Sequence, residues 1–131
     1  MARPARVARI ADGLRALHRH VYDCYEPLVA SARCGDLIHR SGTLNVYRSE
    51  RAFEASRSDW KIRTDRGGEC RPVRGAELRE IEPSLAPEFT HAMLIPDHGY
   101  VATPHRMVQA LAAQFVADGG RLEQQAVRTL V

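Results

Sequence analysis

The chain has 131 residues, enough for one domain with a usable core. Its apolar fraction of 44% and charged fraction of 27% are ordinary for a globular protein, and no run approaches the roughly 18 to 20 apolar residues of a membrane span. A net charge of +3, carried by arginines scattered among acids, and three cysteines with no C-x-x-C spacing speak against a nucleic-acid patch, a disulfide framework and a structural zinc site.

Residues 5 to 33 carry a helical pattern, with Val7, Ile10, Ala11, Leu14, Leu17, Val21, Tyr25, Leu28 and Ala32 recurring at steps of three and four. Pro27 interrupts it, which predicts a kink or break near Asp23 to Glu26, and Gly35 is the expected stop. "DLIHRSGTLNVYRS" reads as extended structure, with Leu44 and Val46 alternating against Thr43, Asn45 and Tyr47. Ser41-Gly42 is either a hairpin turn or a bulge in one long strand. Ser49 is placed to cap a helix over about residues 50 to 65, with Ala52, Phe53, Ser56 and Trp60 inward and Gly67-Gly68 at its end.

"ECRPVRG" is a short strand or extended link. "GAELREIEPSL" is a short helix closed by Pro83, with Leu78 and Ile81 inward. "THAMLIP" and "GYVAT" are strand candidates. Thr103 caps a helix that opens on Pro104, and its apolar stripe of Met107, Val108, Leu111, Ala112, Phe115 and Val116 runs to Gly119-Gly120. "RLEQQAVRTLV" is the expected closing strand. The fold class is therefore α+β (mixed α/β), with no internal repeat.

The chemistry-bearing residues mostly have structural readings. His18 and His20 cannot share one helix face, and His39, His91, His98 and His105 lack the tight spacing of a zinc motif, so no metal site is expected. Asp97 and Gly99 are turn formers on either side of His98. Cys24 falls in the helical register as a packing residue. No Ser/His/Asp arrangement can be read from the spacings, and no catalytic residue is assigned. An arginine-rich N-terminus without an unbroken apolar run does not read as a secretory signal, and the expected compartment is the cytoplasm.

The order of three segments is more specific. "LIHRSGTLNVYRSERAFEASRSDW", then "GAELREIEPSLAPEF", then "AMLIPDHGYVATPHRMVQALAAQFVADGGRLEQQAV" resembles the middle of the FAD-dependent oxidoreductases of the D-amino acid oxidase superfamily, in their D-amino acid dehydrogenase and glycine oxidase branch. That family shows a strand G-x-L-x-V-Y, a segment L-E-P-x-L, a strand and turn P-x-D-G-x-V-x-P, and a helix with L-x-x-A-L ending at a glycine pair. The resemblance covers most of residues 14 to 128. Two departures accompany it. The family's opening strand and G-x-G-x-x-G turn, which holds the FAD pyrophosphate, has no counterpart; "DRGGECRPVRG" lacks both the spacing and the setting. The family also continues beyond the closing strand.

The resemblance implies a fragment, inactive alone and with weak or no FAD binding of its own, from a parent that oxidises amino acids or amines by hydride transfer to FAD. Residues 1 to 102 would be a substrate-domain segment and residues 103 to 131 a helix and strand returning to the FAD-binding domain. It places Val127 at the adenine end of FAD, and Tyr47, His98 and Tyr100 beside an amino acid or amine substrate. The ordinary alternatives are a core valine, strand packing for Tyr47, and a solvated turn for His98 and Tyr100. For the parent, a peripheral position at the inner membrane stays open. The apolar face of residues 107 to 116 is expected to favour self-association. The rival readings are a free-standing α+β module that binds a ligand or protein without catalysis, and a basic nucleic-acid-binding domain, for which no motif is present.

Overall fold

The computed structural model describes residues 4–126, 128 and 129. In chain order the elements are α1 (Pro4–His18), α2 (Val21–Ser31), a 3-10 turn (Gly35–Leu37), β1 (Ile38–His39), β2 (Thr43–Tyr47), α3 (Glu50–Ala55), α4 (Arg57–Thr64), β3 (Arg71–Arg74), α5 (Gly75–Ile81), β4 (His91–Ile95), β5 (Tyr100–Val101) and α6 (Pro104–Ala117). The mixed α+β class is as the sequence implies. The chain divides into two compact units, Met1–His20 with Arg40–Tyr100, and Val21–His39 with Val101–Val131.

The first unit is built on an antiparallel sheet of order β2-β4-β3. In its register Val46 and Val73 both face Ala92, and Leu44 faces Leu94. Cross-strand partners share a face, so these side chains form one apolar surface. Leu78 of α5 is fully buried against it together with Val73 and Ala92. The other face of β4 carries His91, Met93 and Ile95, the last two buried, and there Phe53 of α3 contacts Tyr47 and His91. Central β4 is thus covered on both sides, which is why "HAMLI" lacks a strict polar alternation. In the same unit α1 meets α4: Arg66 binds the Asp12 carboxylate at 2.7 Å and the Ala8 carbonyl at 3.2 Å.

The second unit packs Val29, Cys34, Leu37 and Met107 into its own core, flanked by Ile38, Val101 and Leu111. The Ala102 amide donates to the Leu37 carbonyl at 2.9 Å.

Several expectations are corrected. The long N-terminal helix breaks at Arg19–His20, not at Asp23 to Glu26, and Pro27 sits inside α2. A proline removes one N–H and crowds the carbonyl four residues earlier; with α2 starting at Val21, that carbonyl, of Asp23, falls in its first turn. The helix stops before Gly35. Arg33 adopts φ 52°, Cys34 N–H donates to the Val29 carbonyl and Arg33 N–H to that of Ala30, so a Schellman closure forms without glycine. Ser41-Gly42 is neither hairpin nor bulge, because β1 pairs with β5 and β2 with β4. Gly42 has φ +79°, and a Cβ there would lie 3.2 Å from the Ile95 carbonyl oxygen.

The expected single helix over 50–65 is two. Ser56 donates its hydroxyl to the Phe53 carbonyl at 2.7 Å and so competes with the helical ladder at that point. Ser49 does cap α3, accepting from Ala52 N–H at 3.2 Å. Ala52 itself is exposed, and so is Ile81, since the packing of seven-residue α5 centres on Leu78. Thr103 holds the cap position of α6 but its hydroxyl does not bond the helix. No strand forms among the described residues after α6.

Candidate functional site

Chemistry-bearing side chains gather around α3, α4 and β4, all in the first unit. Ser49 starts α3 so that Glu50 opens its first turn and Phe53 turns onto the sheet. Glu50 accepts two hydrogen bonds from Arg74, at 2.9 and 3.2 Å, and lies 2.8 Å from His91 Nε2. An ionised carboxylate only accepts, so Nε2 carries the proton and Nδ1 accepts from the Thr90 hydroxyl 2.8 Å away. The hydrogen bond from His91 is the main cause holding the Glu50 carboxyl below its ordinary range; burial opposes it, and the charge of Arg74 adds to the lowering. The Arg74 guanidinium also sits 5.1 Å from the Phe53 ring centre.

Helix α4 presents Trp60 and Arg63 one turn apart. Trp60 Nε1 donates to the Tyr47 hydroxyl at 2.8 Å and to Ser56 Oγ at 3.0 Å. Arg63 Nη2 lies 2.6 Å from His98 Nε2. Arginine only donates, so His98 accepts here as the neutral, Nδ1-protonated ring. Burial lowers the His98 pKa, the Arg63 charge lowers it further, and Asp97 opposes both.

The residues singled out from sequence do not converge. Tyr47 stands at the end of β2 paired with His91, its ring edge-on to Phe53 at 5.5 Å. His98 lies beyond Ile95, at the opposite end of that ladder, where its carbonyl accepts from Gly42 N–H at 2.9 Å. Tyr100 is 56% exposed on β5. Val127 lies outside the described residues. Nothing in the sequence marks Trp60, Arg63, Glu50, Arg74 and His91 as site residues. The helical pattern puts Trp60 inward, yet nothing in the spacing of Arg63 and His98, 35 residues apart, announces their contact.

A glycine-rich phosphate cradle would require free N–H groups at the start of a helix. The described glycines are placed otherwise. Gly67-Gly68 follows α4 and Gly119-Gly120 follows α6, at the carbonyl ends, which repel anions. A Cβ at Gly120 would meet the Phe115 ring at 2.4 Å, so that glycine serves packing. Gly75 does join a strand to a helix, but α5 carries Glu77 in its first turn. These residues do not fit the pyrophosphate of a dinucleotide. Among the described residues no group of three His, Cys, Asp or Glu is placed to hold a metal ion. None of their helices is long and apolar enough to cross a membrane.

The model of the DAO family, FAD dependent oxidoreductase, matches residues 2–131, and the chain belongs to that family. It is 28% identical over 118 residues to a D-amino-acid oxidase of Bradyrhizobium diazoefficiens, an overlap of 90% of this chain and 28% of that protein. The crystal structure of glycine oxidase from Bacillus cereus superposes with a TM-score of 0.64 at 19% identity, over 94% of this chain and 35% of that one. The chain thus spans about a third or less of the length of these relatives.

Proposed function

We propose that the chain is the substrate-side part of an FAD-dependent oxidoreductase acting on amino acids or amines, and that it does not hold the flavin by itself. Residues 1–102 supply pocket structure, and residues 103–131, with α6, return to a flavin-binding domain. The flavin would supply hydride acceptance, and the chain's own contribution is to shape and orient. Tyr47, His98 and Tyr100 are the proposed substrate-side residues. Tyr47 keeps its hydroxyl proton for a ligand, because Trp60 occupies only an acceptor position. Val127 is the proposed contact to FAD.

The observation that supports this reading is a family match along nearly the entire chain in which the described glycine pairs close helix ends and form no phosphate cradle. The test is to incubate the purified chain with FAD, a dye acceptor and a panel of D-amino acids, glycine and sarcosine. No dye reduction above a flavin-only control is expected. Turnover by the chain alone would contradict the reading.

The competing reading, a free-standing α+β binding module, draws on the closed core of Val73, Leu78 and Ala92, which the β2-β4-β3 sheet completes within one unit. A cooperative melt indifferent to FAD and to a supplied flavin-binding domain would favour it.

A further inference from the structure

Arg63 is a permanent cation in an unusual position. Among the described residues no carboxylate pairs with it: its side-chain partner is His98 Nε2, and its own Nε is buried with no acceptor. A partly buried guanidinium without an anion, and a buried N–H without a partner, are both costly. Gly68 helps hold the arginine there. A Cβ at that position would lie 2.7 Å from Arg63 Cγ and 3.2 Å from Nε. The charged groups facing His98 are Arg63 from α4 and Asp97 in its own turn; Asp97 acts through its charge and is not hydrogen-bonded to either partner.

We propose that Arg63 and His98 form a binding site for a small monocarboxylate, held between guanidinium and imidazolium. In the empty site the ring must be neutral, since Arg63 can only donate to it. A protonated His98 would also only donate, and the 2.6 Å contact would set cation against cation. A carboxylate resolves this by accepting one N–H from each. Arg63 and protonated His98 contribute two positive charges and Asp97 one negative, leaving a single positive charge to match a monoanion. A dianion such as phosphate would face Asp97 with charge in excess. Ligand binding therefore brings a proton with it. The lowered pKa of the free ring agrees with this, because burial and Arg63 discourage its protonation until an anion arrives. The site is made by one turn of α4 and the turn after β4; through His98 it extends the substrate-side reading, on which it rests, and its titration succeeds or fails separately from the dye-reduction test.

The test is a proton NMR titration of His98, in the full chain, against sodium acetate and against inorganic phosphate. Acetate is expected to raise the titration midpoint of His98 and to bind more tightly toward acid pH, about tenfold for each unit by which the midpoint rises. Phosphate is expected to bind more weakly. Arg63→Gln should abolish the response of His98 to acetate. His98→Gln preserves an acceptor for Arg63, and should bind acetate weakly and without pH dependence. If Arg63→Gln does not fold, the His98→Gln titration decides. An unmoved His98 signal in acetate, an unchanged response in Arg63→Gln, a pH dependence retained in His98→Gln, or preference for phosphate would overturn the proposal. Failure here leaves the dye-reduction test untouched.

Discussion

Arg79 explains why "EPSLAPEF" keeps a defined course without regular structure. Its two terminal nitrogens donate to the carbonyls of Leu85, Ala86, Pro87 and Phe89, while Glu82 accepts from Ser84 N–H at 3.2 Å. A lysine has one compact ammonium and cannot span four carbonyls in that fork. Arg79→Lys is expected to cost about 1–3 kcal/mol, read from urea denaturation, with faster amide exchange across residues 85–89. His98 sets a pH dependence at the same scale. Its folded pKa is lowered below the unfolded value of about 6.5, so the unfolded chain binds the proton first. In the ligand-free chain the stabilisation is whole above about pH 6.5 and is lost as pH falls through the lowered folded value. Glu50 is also lowered, so its contribution is kept above the ordinary carboxylate range and lost at more acid pH. Thermal melts of His98→Gln should be flatter than wild type just below neutrality and similar in the carboxylate range. A wild-type-like slope near pH 6 in that variant would remove His98 as the cause.

At the scale of elements, the two units are closed by different devices. Helix α6 ends in a Schellman turn, with Gly120 N–H on the Phe115 carbonyl at 2.8 Å and Gly119 at φ +92°. A side chain at Gly119 adopts that φ with strain, and one at Gly120 collides with Phe115. Gly119→Ala should therefore cost about 1 kcal/mol, measured by chemical denaturation, and Gly120→Ala should cost more unless the ring swings outward. Leu78→Ala, which empties a fully buried site beneath the sheet, should cost about 2–5 kcal/mol. Most of these elements were legible because their signals are local: Ser49 before α3, Pro104 at the start of α6, the glycine pairs at helix ends, the alternation in β2. The rest depended on distant partners. Central β4 sits between β2 and β3, so "HAMLI" shows no alternation, and the split at Ser56 turns on one hydroxyl competing for one carbonyl. The Arg63–His98 contact joins elements 35 residues apart and leaves no trace in spacing. Tyr47 and His98 were chosen through resemblance, and packing at opposite ends of a ladder is invisible to it.

At the scale of the molecule, each unit leaves apolar surface in solvent. On α1, Ile10, Leu14 and Leu17 are exposed although Val7 and Ala11 are partly covered. On α6, Met107 is buried while Val108, Phe115 and Val116 are 65%, 50% and 49% exposed. The stripe read from sequence is thus only half used within its unit. Unpaired helix faces of this kind favour association. The proposal that residues 107–116 self-associate predicts a concentration-dependent mass in sedimentation velocity, and Val108→Lys with Phe115→Lys should return a monomer with its fold intact. A monomeric wild-type chain across the accessible concentration range would count against it.

The measurement closest to the central claim is flavin binding by the purified chain, followed through the visible absorption and fluorescence of FAD during titration and gel filtration. The proposed role as a substrate-side part without its own phosphate cradle predicts FAD spectra identical to free flavin and no flavin eluting with the protein. Stoichiometric retention of FAD with a shifted visible band would mean that this chain builds a dinucleotide site of its own, contradicting its role as a substrate-side part without a phosphate cradle.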